Sequence, residues 1–262
     1  MQVTLLLVVL TVTTLFTRTH AATANLLGRI AFGSCSNPHR DEAIWRQIHS
    51  FHPHHLILLG DQIYADRTEH WAYRDPTPAV LEAEYELFFN QHAFQQLLQS
   101  VDSFSATFDD HDFGPNNGDK TYQYRDDSIA LFRRYYSKLT QFNDTLSSAE
   151  ANDGVYSAKT IEIDSISIKI IMLDVRSNKD PAPNNFLDPP TTGDFLGETQ
   201  WTWLGNEFND PTIDVFLLAS PIQVLPDDKA LEENWGGFPH ARQRLLNMIV
   251  AVAREQEVFI LS

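Results

Sequence analysis

Short apolar runs alternate along the chain with longer amphipathic stretches, and most of the runs end at glycine or aspartate. Arg29–Gly33 is short and apolar and breaks at Gly33-Ser34-Cys35-Ser36. Residues 42–50 place Ala43, Ile44 and Ile48 at helical spacing. Residues 55–59 form a second apolar run, closed by Gly60-Asp61. Residues 79–99 read as one long amphipathic helix with Val80, Leu81, Leu87, Phe88, Leu97 and Leu98 at its apolar positions. Residues 103–108 read as a strand ended by Asp109-Asp110-His111-Asp112, and 129–139 as a helix. Residues 155–163 and 166–173 alternate with period two and predict a hairpin turning at Asp164-Ser165. Helices are predicted over 198–208 and 242–255, strands over Val215–Ala219 and 258–261. Strands interleaved with helices in this way predict an α/β fold with a mixed sheet or two packed sheets.

Composition narrows the class. The chain has 262 residues, 43% hydrophobic and 21% charged, which is enough to bury a sizeable core. Its thirteen prolines and eleven glycines are spread through turns rather than gathered into a linker, so residues 22–262 read as one domain. Nineteen Lys and Arg against thirty-five Asp and Glu give a formal charge of −16. That balance argues against a nucleic-acid-binding surface, which needs a basic face to displace counterions, and against an anionic membrane partner. Solubility is the plain reason for so many carboxylates; holding cations is the sharper one.

The N-terminus carries an apolar stretch, 5–16, too short to span a bilayer and placed where the core of a signal peptide belongs. A cut after Ala21 satisfies the small-residue rule at Thr19 and Ala21, so 1–21 is read as a signal peptide and the protein as secreted. The competing reading is a buried strand, since Val, Thr and Leu dominate the stretch. No later segment approaches 18 apolar residues, so no membrane span is predicted. The single cysteine, Cys35, excludes an internal disulfide; it is either a small buried hydrophobe or an occupied thiol. Asn143-Asp144-Thr145 is a glycosylation sequon, usable only along a eukaryotic secretory route.

Reactive groups collect at the ends of the predicted strands, where ligands bind in α/β sheets. One end gives Cys35 and another Gly60-Asp61-Gln62-Ile63-Tyr64-Ala65-Asp66. A third gives Asp109-Asp110-His111-Asp112 followed by Asn116-Asn117, and a later one Asp174-Val175-Arg176. Thiol, carboxylate, phenol, imidazole and amide together suit a transition metal beside a harder cation better than one structural zinc. Taken singly, each has a bland explanation. Gly60-Asp61 is an ordinary turn, 109–112 a helix cap or solvated loop, Tyr64 a packing residue and Arg176 a surface ion-pair partner. His39, His49, His52, His54 and His55 fall in a loop and a helix-to-strand connection and are read as solvated.

The runs Phe32-Gly33-Ser34-Cys35-Ser36, Leu59-Gly60-Asp61-Gln62-Ile63-Tyr64-Ala65-Asp66 and Phe108-Asp109-Asp110-His111-Asp112 resemble the PhoD-like (alkaline phosphatase D) metallophosphatases. So do Leu173-Asp174-Val175-Arg176, Gly197-Glu198-Thr199-Gln200-Trp201, and Glu233-Asn234-Trp235-Gly236 with Phe238-Pro239. The runs follow the family's order from about residue 28 to the end. The resemblance implies a four-layer α/β/β/α sandwich with two or more metals, iron and calcium, between the strand ends. It implies Cys35 as a metal ligand, Asp61 as the bridging carboxylate, Tyr64 on the iron, and Asn116, or in competition Asn117, on the second cation. The Asp110-His111 pair takes the place of the Asn-His pair of related enzymes, and Arg176 would clamp the substrate phosphate. Hydroxide activated between the metals would attack the phosphorus of a mono- or diester, with His111 protonating the leaving oxygen or binding the phosphate.

In the family, a strand like 258–261 runs into Gly-Asp-x-His, which supplies further ligands; this sequence stops at Ser262. The C-terminal part of the fold is therefore expected to be missing and the chain as given to be poorly active. The alternative is a catalytically inactive fragment that keeps a phosphate- or ligand-binding site. A glycosidase is disfavoured, because nothing places a suitable acid pair and the Cys and Tyr would be unexplained. Oligomeric state is not legible.

Overall fold

The short apolar runs become strands and the amphipathic stretches become helices in the computed structural model of the protein, which describes residues 8–11, 28–139, 153–182, 192–226 and 232–262. In chain order these are β1 (Val8–Thr11), β2 (Arg29–Gly33), α1 (Ala43–Ser50), β3 (His55–Leu58), α2 (Pro78–Phe89), α3 (His92–Ser100), β4 (Ser103–Ala106), α4 (Asp110–Phe113) and α5 (Arg125–Tyr136). They continue with β5 (Ser157–Ile163), β6 (Ile166–Met172), α6 (Gly197–Glu207), β7 (Val215–Ala219), a 3-10 turn (Trp235–Gly237), α7 (Pro239–Val252) and β8 (Glu257–Leu261). The Asn143 sequon lies outside the described residues, as does the proposed signal peptide apart from β1. No helix among the described residues is long and apolar enough to cross a membrane.

Two four-stranded sheets form, in the orders β1-β2-β3-β4 and β5-β6-β7-β8. In the first, β2, β3 and β4 are parallel and β1 is the antiparallel edge. A cut after Ala21 would remove that edge strand. In the second, β6, β7 and β8 are parallel and β5 is the hairpin partner of β6. The hairpin turns where the alternation predicts: Ile163 pairs with Ile166, and Asp164 and Ser165 have φ of 50° and 68°, the doubly left-handed geometry that matches strand twist.

Strand periodicity sends alternate residues to opposite faces. Ile57 and Leu59 face the second sheet, joining Ile30, Ile168, Ile170, Met172, Leu217 and Leu261 in the layer between the sheets. Leu56 and Leu58 face the other way, onto α1, α2, α3 and α5 through Trp45, Leu81, Phe88, Phe94 and Phe132. The second sheet repeats the arrangement with α6 and α7, where Ile171, Phe216 and Leu218 meet Trp201, Leu204 and Leu245. The result is four layers, α/β/β/α, as expected. Each fully buried side chain of this size contributes about 1.5–3 kcal/mol. The parallel strands β2, β3, β4 and β6 end on one side of the sandwich, and there the Thr107 hydroxyl donates to the Leu173 carbonyl at 2.8 Å, linking the two sheets.

Two readings need correction. The single helix expected over 79–99 is two, α2 and α3, broken at Asn90-Gln91. The Gln91 backbone is extended (ψ 120°). Its buried amide accepts from the Trp45 indole at 2.9 Å and donates to the Pro38 carbonyl at 3.1 Å. These long-range bonds outweigh the continuous apolar pattern, as tertiary contacts commonly override local propensity. The second correction is His55. His52 and His54 are exposed, and the His39 ring pairs with Glu84 at 2.9 Å. His55, however, is completely buried, with its ring nitrogens hydrogen-bonded to the hydroxyls of Ser103 and Ser105.

Burial, with a smaller contribution from Lys159, lowers the His55 pKa to about 3. The unfolded chain therefore binds this proton more readily, and stability is complete above pH 6.5 and falls as the pH drops toward 3. Between pH 6.5 and 5 this group is expected to remove about 2 kcal/mol. Urea unfolding of wild type and His55→Gln at several pH values checks this. The wild-type curve should be steeper by that amount, whatever the constant offset between the two proteins.

Candidate metal centre

The loops after β2 and β3 are laced together by main-chain bonds. The Cys35 N–H donates to the Gly60 carbonyl at 3.2 Å and the Ser36 N–H to the Asp61 carbonyl at 2.9 Å. Gly60 (φ 100°) lies so close to the loop after β4 that a Cβ there would sit 2.5 Å from the Asp109 Cβ and nitrogen, so only glycine fits. Cys35, Asp61, Tyr64 and Asn117 have φ of 62°, 61°, 51° and 58°. Left-handed backbone at non-glycine residues is strained and concentrates at functional sites.

Asp112 holds this geometry. Its buried carboxylate accepts from the N–H groups of Asp61 at 2.5 Å, Gln62 at 2.7 Å and Ile63 at 2.8 Å. It also accepts from Asp109 at 3.1 Å, capping α4. Burial lifts its pKa to about 6, opposed by these main-chain donors. The Asp-rich stretch is thus a helix cap and an organiser of the neighbouring loop at once.

The Asp61 carboxylate lies inside. Its Oδ2 is 3.6 Å from the Cys35 sulfur and 3.3 Å from the Tyr64 hydroxyl. Its Oδ1 is buried with no hydrogen-bond partner. Asp61, Asp110 and His111 bring one ligand atom each to within 4.8 Å of one another. Desolvation, then the charge of Asp110 and Asp109, raises the Asp61 pKa well above the carboxylate range. Burial raises the Tyr64 phenol further still, with Asp61 adding to it.

Two more carboxylates support the cluster. Buried Asp66 accepts from His111 Nδ1 at 2.6 Å and from the Asn116 N–H at 3.1 Å. Burial alone would lower the His111 pKa, but the Asp66 bond and the charge of Asp110 raise it. The His111 ring stacks on Tyr64 at 4.6 Å. Burial pushes the Asp110 pKa up, yet Arg176, His111 and the Asn117 and His111 N–H groups leave it lowered overall. The exposed Asn116 has its amide oxygen 3.3 Å from the Arg67 guanidinium. The Asn117 N–H reaches Asp110 at 2.6 Å.

Arg176 is buried beside the cluster. It pairs with Asp109 at 2.6 Å and Glu233 at 2.6 Å, with Asp110 at 3.8 Å. Asp174 fixes its backbone, accepting from the Arg176 N–H at 2.9 Å, and Gln200 brackets Asp174 through both main-chain groups. Fully buried Lys179 pairs with Glu233 at 2.7 Å and donates to the Asn117 carbonyl at 3.0 Å.

The structure thus brings Cys35, Asp61, Tyr64, Asp110, His111 and Arg176 to one crest, with Asn116 at its exposed margin. Sequence reasoning gave no role to Asp112, Asp66, Gln200 or Lys179. The first three lie in quoted runs, but Lys179 had no signal in a polar, proline-rich segment. The donors fit cations: hard carboxylates with a thiol and a phenol, and an orphaned buried carboxylate oxygen among them.

No protein-family model and no curated protein matches the chain. Among solved structures it is similar to PhoD, at 18% identity and a TM-score of 0.65, over 89% of this chain and 53% of the PhoD chain. The chain therefore spans about half the length of that structure, and the four-layer architecture is the fold they share.

Asp112→Ala would leave four main-chain donors without their acceptor. It is expected to lower the unfolding free energy by about 3 kcal/mol and to weaken divalent-cation binding more than tenfold. Urea unfolding and calorimetric titration check the two; a loss under about 1 kcal/mol would show that the loop holds without Asp112.

Proposed function

We propose that the protein hydrolyses phosphate mono- or diesters at a centre holding iron and calcium. The carrying observation is the Asp61 carboxylate, buried at the meeting of the strand-end loops with one oxygen unpartnered and Cys35, Tyr64, Asp110 and His111 around it. Cys35, Asp61 and Tyr64 would hold one cation, with Asp61 shared to a second near Asn116. When bound, such cations lower the pKa of water and neutralise the charge of the phosphoryl oxygens.

The chain's own groups supply the remaining chemistry. Asp66 accepts from His111 Nδ1 at 2.6 Å and so orients the ring, keeping Nε2 for the proton given to the leaving oxygen. The Asp66 bond and the charge of Asp110, which outweigh burial in raising the His111 pKa, favour the protonated ring. Arg176 adds fixed positive charge at the phosphate side. Its donors are satisfied by Asp109 and Glu233, so engaging an ester requires exchange of one carboxylate. Export completes the proposal: the apolar stretch 5–16 supports a signal peptide over 1–21, while the pairing of Val8–Thr11 with β2 is what competes with it.

Metal analysis and hydrolysis of chromogenic phosphate mono- and diesters test this on the full chain. Iron and calcium are expected to co-purify, activity to vanish on chelation and return on reloading, and His111→Ala to lower kcat about 100-fold or more. Absence of bound metal, or turnover indifferent to chelation, would overturn the proposal. Phosphate binding without turnover would select the inactive, ligand-binding alternative.

A further inference from the structure

Tryptophan is used in two ways here. Trp45, Trp201 and Trp235 are buried, and Trp203 packs against the second core. Trp71 instead is 39% exposed, and its backbone is left-handed, at φ 63°. An aromatic residue rarely adopts that conformation, so the loop must impose it. The Trp71 N–H donates to the Thr68 carbonyl, the Thr68 N–H to the Ala72 carbonyl, and the Ala72 N–H to the Thr68 hydroxyl, at 2.9, 2.9 and 3.1 Å. Arg67 bridges to Tyr73, and the Arg74 N–H returns to the Asp66 carbonyl at 2.9 Å. The loop is thereby closed onto the residues that follow Tyr64.

The ring this loop presents is aimed at the metal centre. Trp71 meets the Tyr64 ring edge to face at 5.4 Å, and Tyr64 stacks on His111 at 4.6 Å. His111, Tyr64 and Trp71 make a continuous aromatic row from the carboxylate cluster to solvent. The Arg40 guanidinium lies 5.7 Å from the Trp71 ring centre and steadies it. An apolar ring kept half in water by a strained backbone, one ring away from a candidate ligand, adds little to the core. Its exposed surface is suited to stacking.

We infer that Trp71 is the wall of a leaving-group subsite, and that the preferred esters carry a flat aromatic group, aryl or nucleobase, on the departing oxygen. This rests on the proposed phosphate-ester chemistry and names its substrate class. With phosphorus at the metal centre, the oxygen of an attacking hydroxide would bond to phosphorus as the bond from phosphorus to the ester oxygen on the Trp71 side breaks, and the departing group would leave across that ring with the proton from His111. A ring lying on Trp71 replaces water on both apolar faces. An alkyl group of small size gains much less.

Calorimetric titration of the metal-loaded full chain with phenylphosphonate and methylphosphonate tests this without turnover. Wild type is expected to bind the phenyl compound about tenfold more tightly. Trp71→Ala should bring the ratio to within twofold of one, and Trp71→Phe should retain part of it. Equal affinities in wild type, or a ratio that survives Trp71→Ala, would overturn the inference and leave the phosphate-ester proposal standing. If neither phosphonate binds, both fall.

Discussion

Negative charge taken out of water must be answered by positive charge or by donors, and the crest of this sandwich is short of both. Asp61, Asp66, Asp109, Asp110, Asp112 and Glu233 gather there around three cationic side chains, Arg67, Arg176 and Lys179, and one imidazole. Some of this charge is met. Main-chain N–H groups answer Asp112, His111 and Arg67 answer Asp66, and Arg176 and Lys179 answer Asp109 and Glu233. Asp61 is not met: only a thiol and a phenol touch one oxygen, and nothing touches the other. An isolated buried carboxylate carries a penalty of several kcal/mol, which the raised Asp61 pKa relieves by holding a proton and which a bound cation would relieve instead.

The rest of the architecture makes this concentration possible. Parallel strands point their carboxyl ends the same way, and the Thr107–Leu173 bond links the two sheets at that edge. The loops then approach so closely that Gly60 admits no side chain and three candidate residues take left-handed backbone. Asp112 offsets that strain with four accepted hydrogen bonds. Placement of the chemistry is thus a property of the two sheets, and its detailed geometry a property of one carboxylate.

Much of this was legible in the order of residues. Apolar runs broken by Gly33, Gly60 and the Asp109 stretch marked strand ends, because a strand needs continuous apolar surface and a breaker to leave it. Asp164-Ser165 marked the hairpin by alternation on either side. What escaped depended on distance along the chain. Gln91 splits a helix through Trp45, 46 residues away. Asp112 shapes a loop 49 to 51 residues earlier. His55 is buried because Ser103 and Ser105 on the adjacent strand receive its ring, while its neighbours His52 and His54 are exposed. The left-handed conformation of Cys35, Asp61 and Tyr64 has no local signature, since only glycine announces it.

The most direct measurement compares unfolding midpoints of wild type and Asp61→Asn, each with chelator and with added cation. If Asp61 is a charge awaiting a cation, neutralising it should stabilise the cation-free protein by about 1–3 kcal/mol and abolish the gain that cation gives wild type, so the two proteins exchange rank. A variant that is weaker without cation, yet still stabilised by it, would mean that the cation binds elsewhere and that Asp61 is a structural carboxylate.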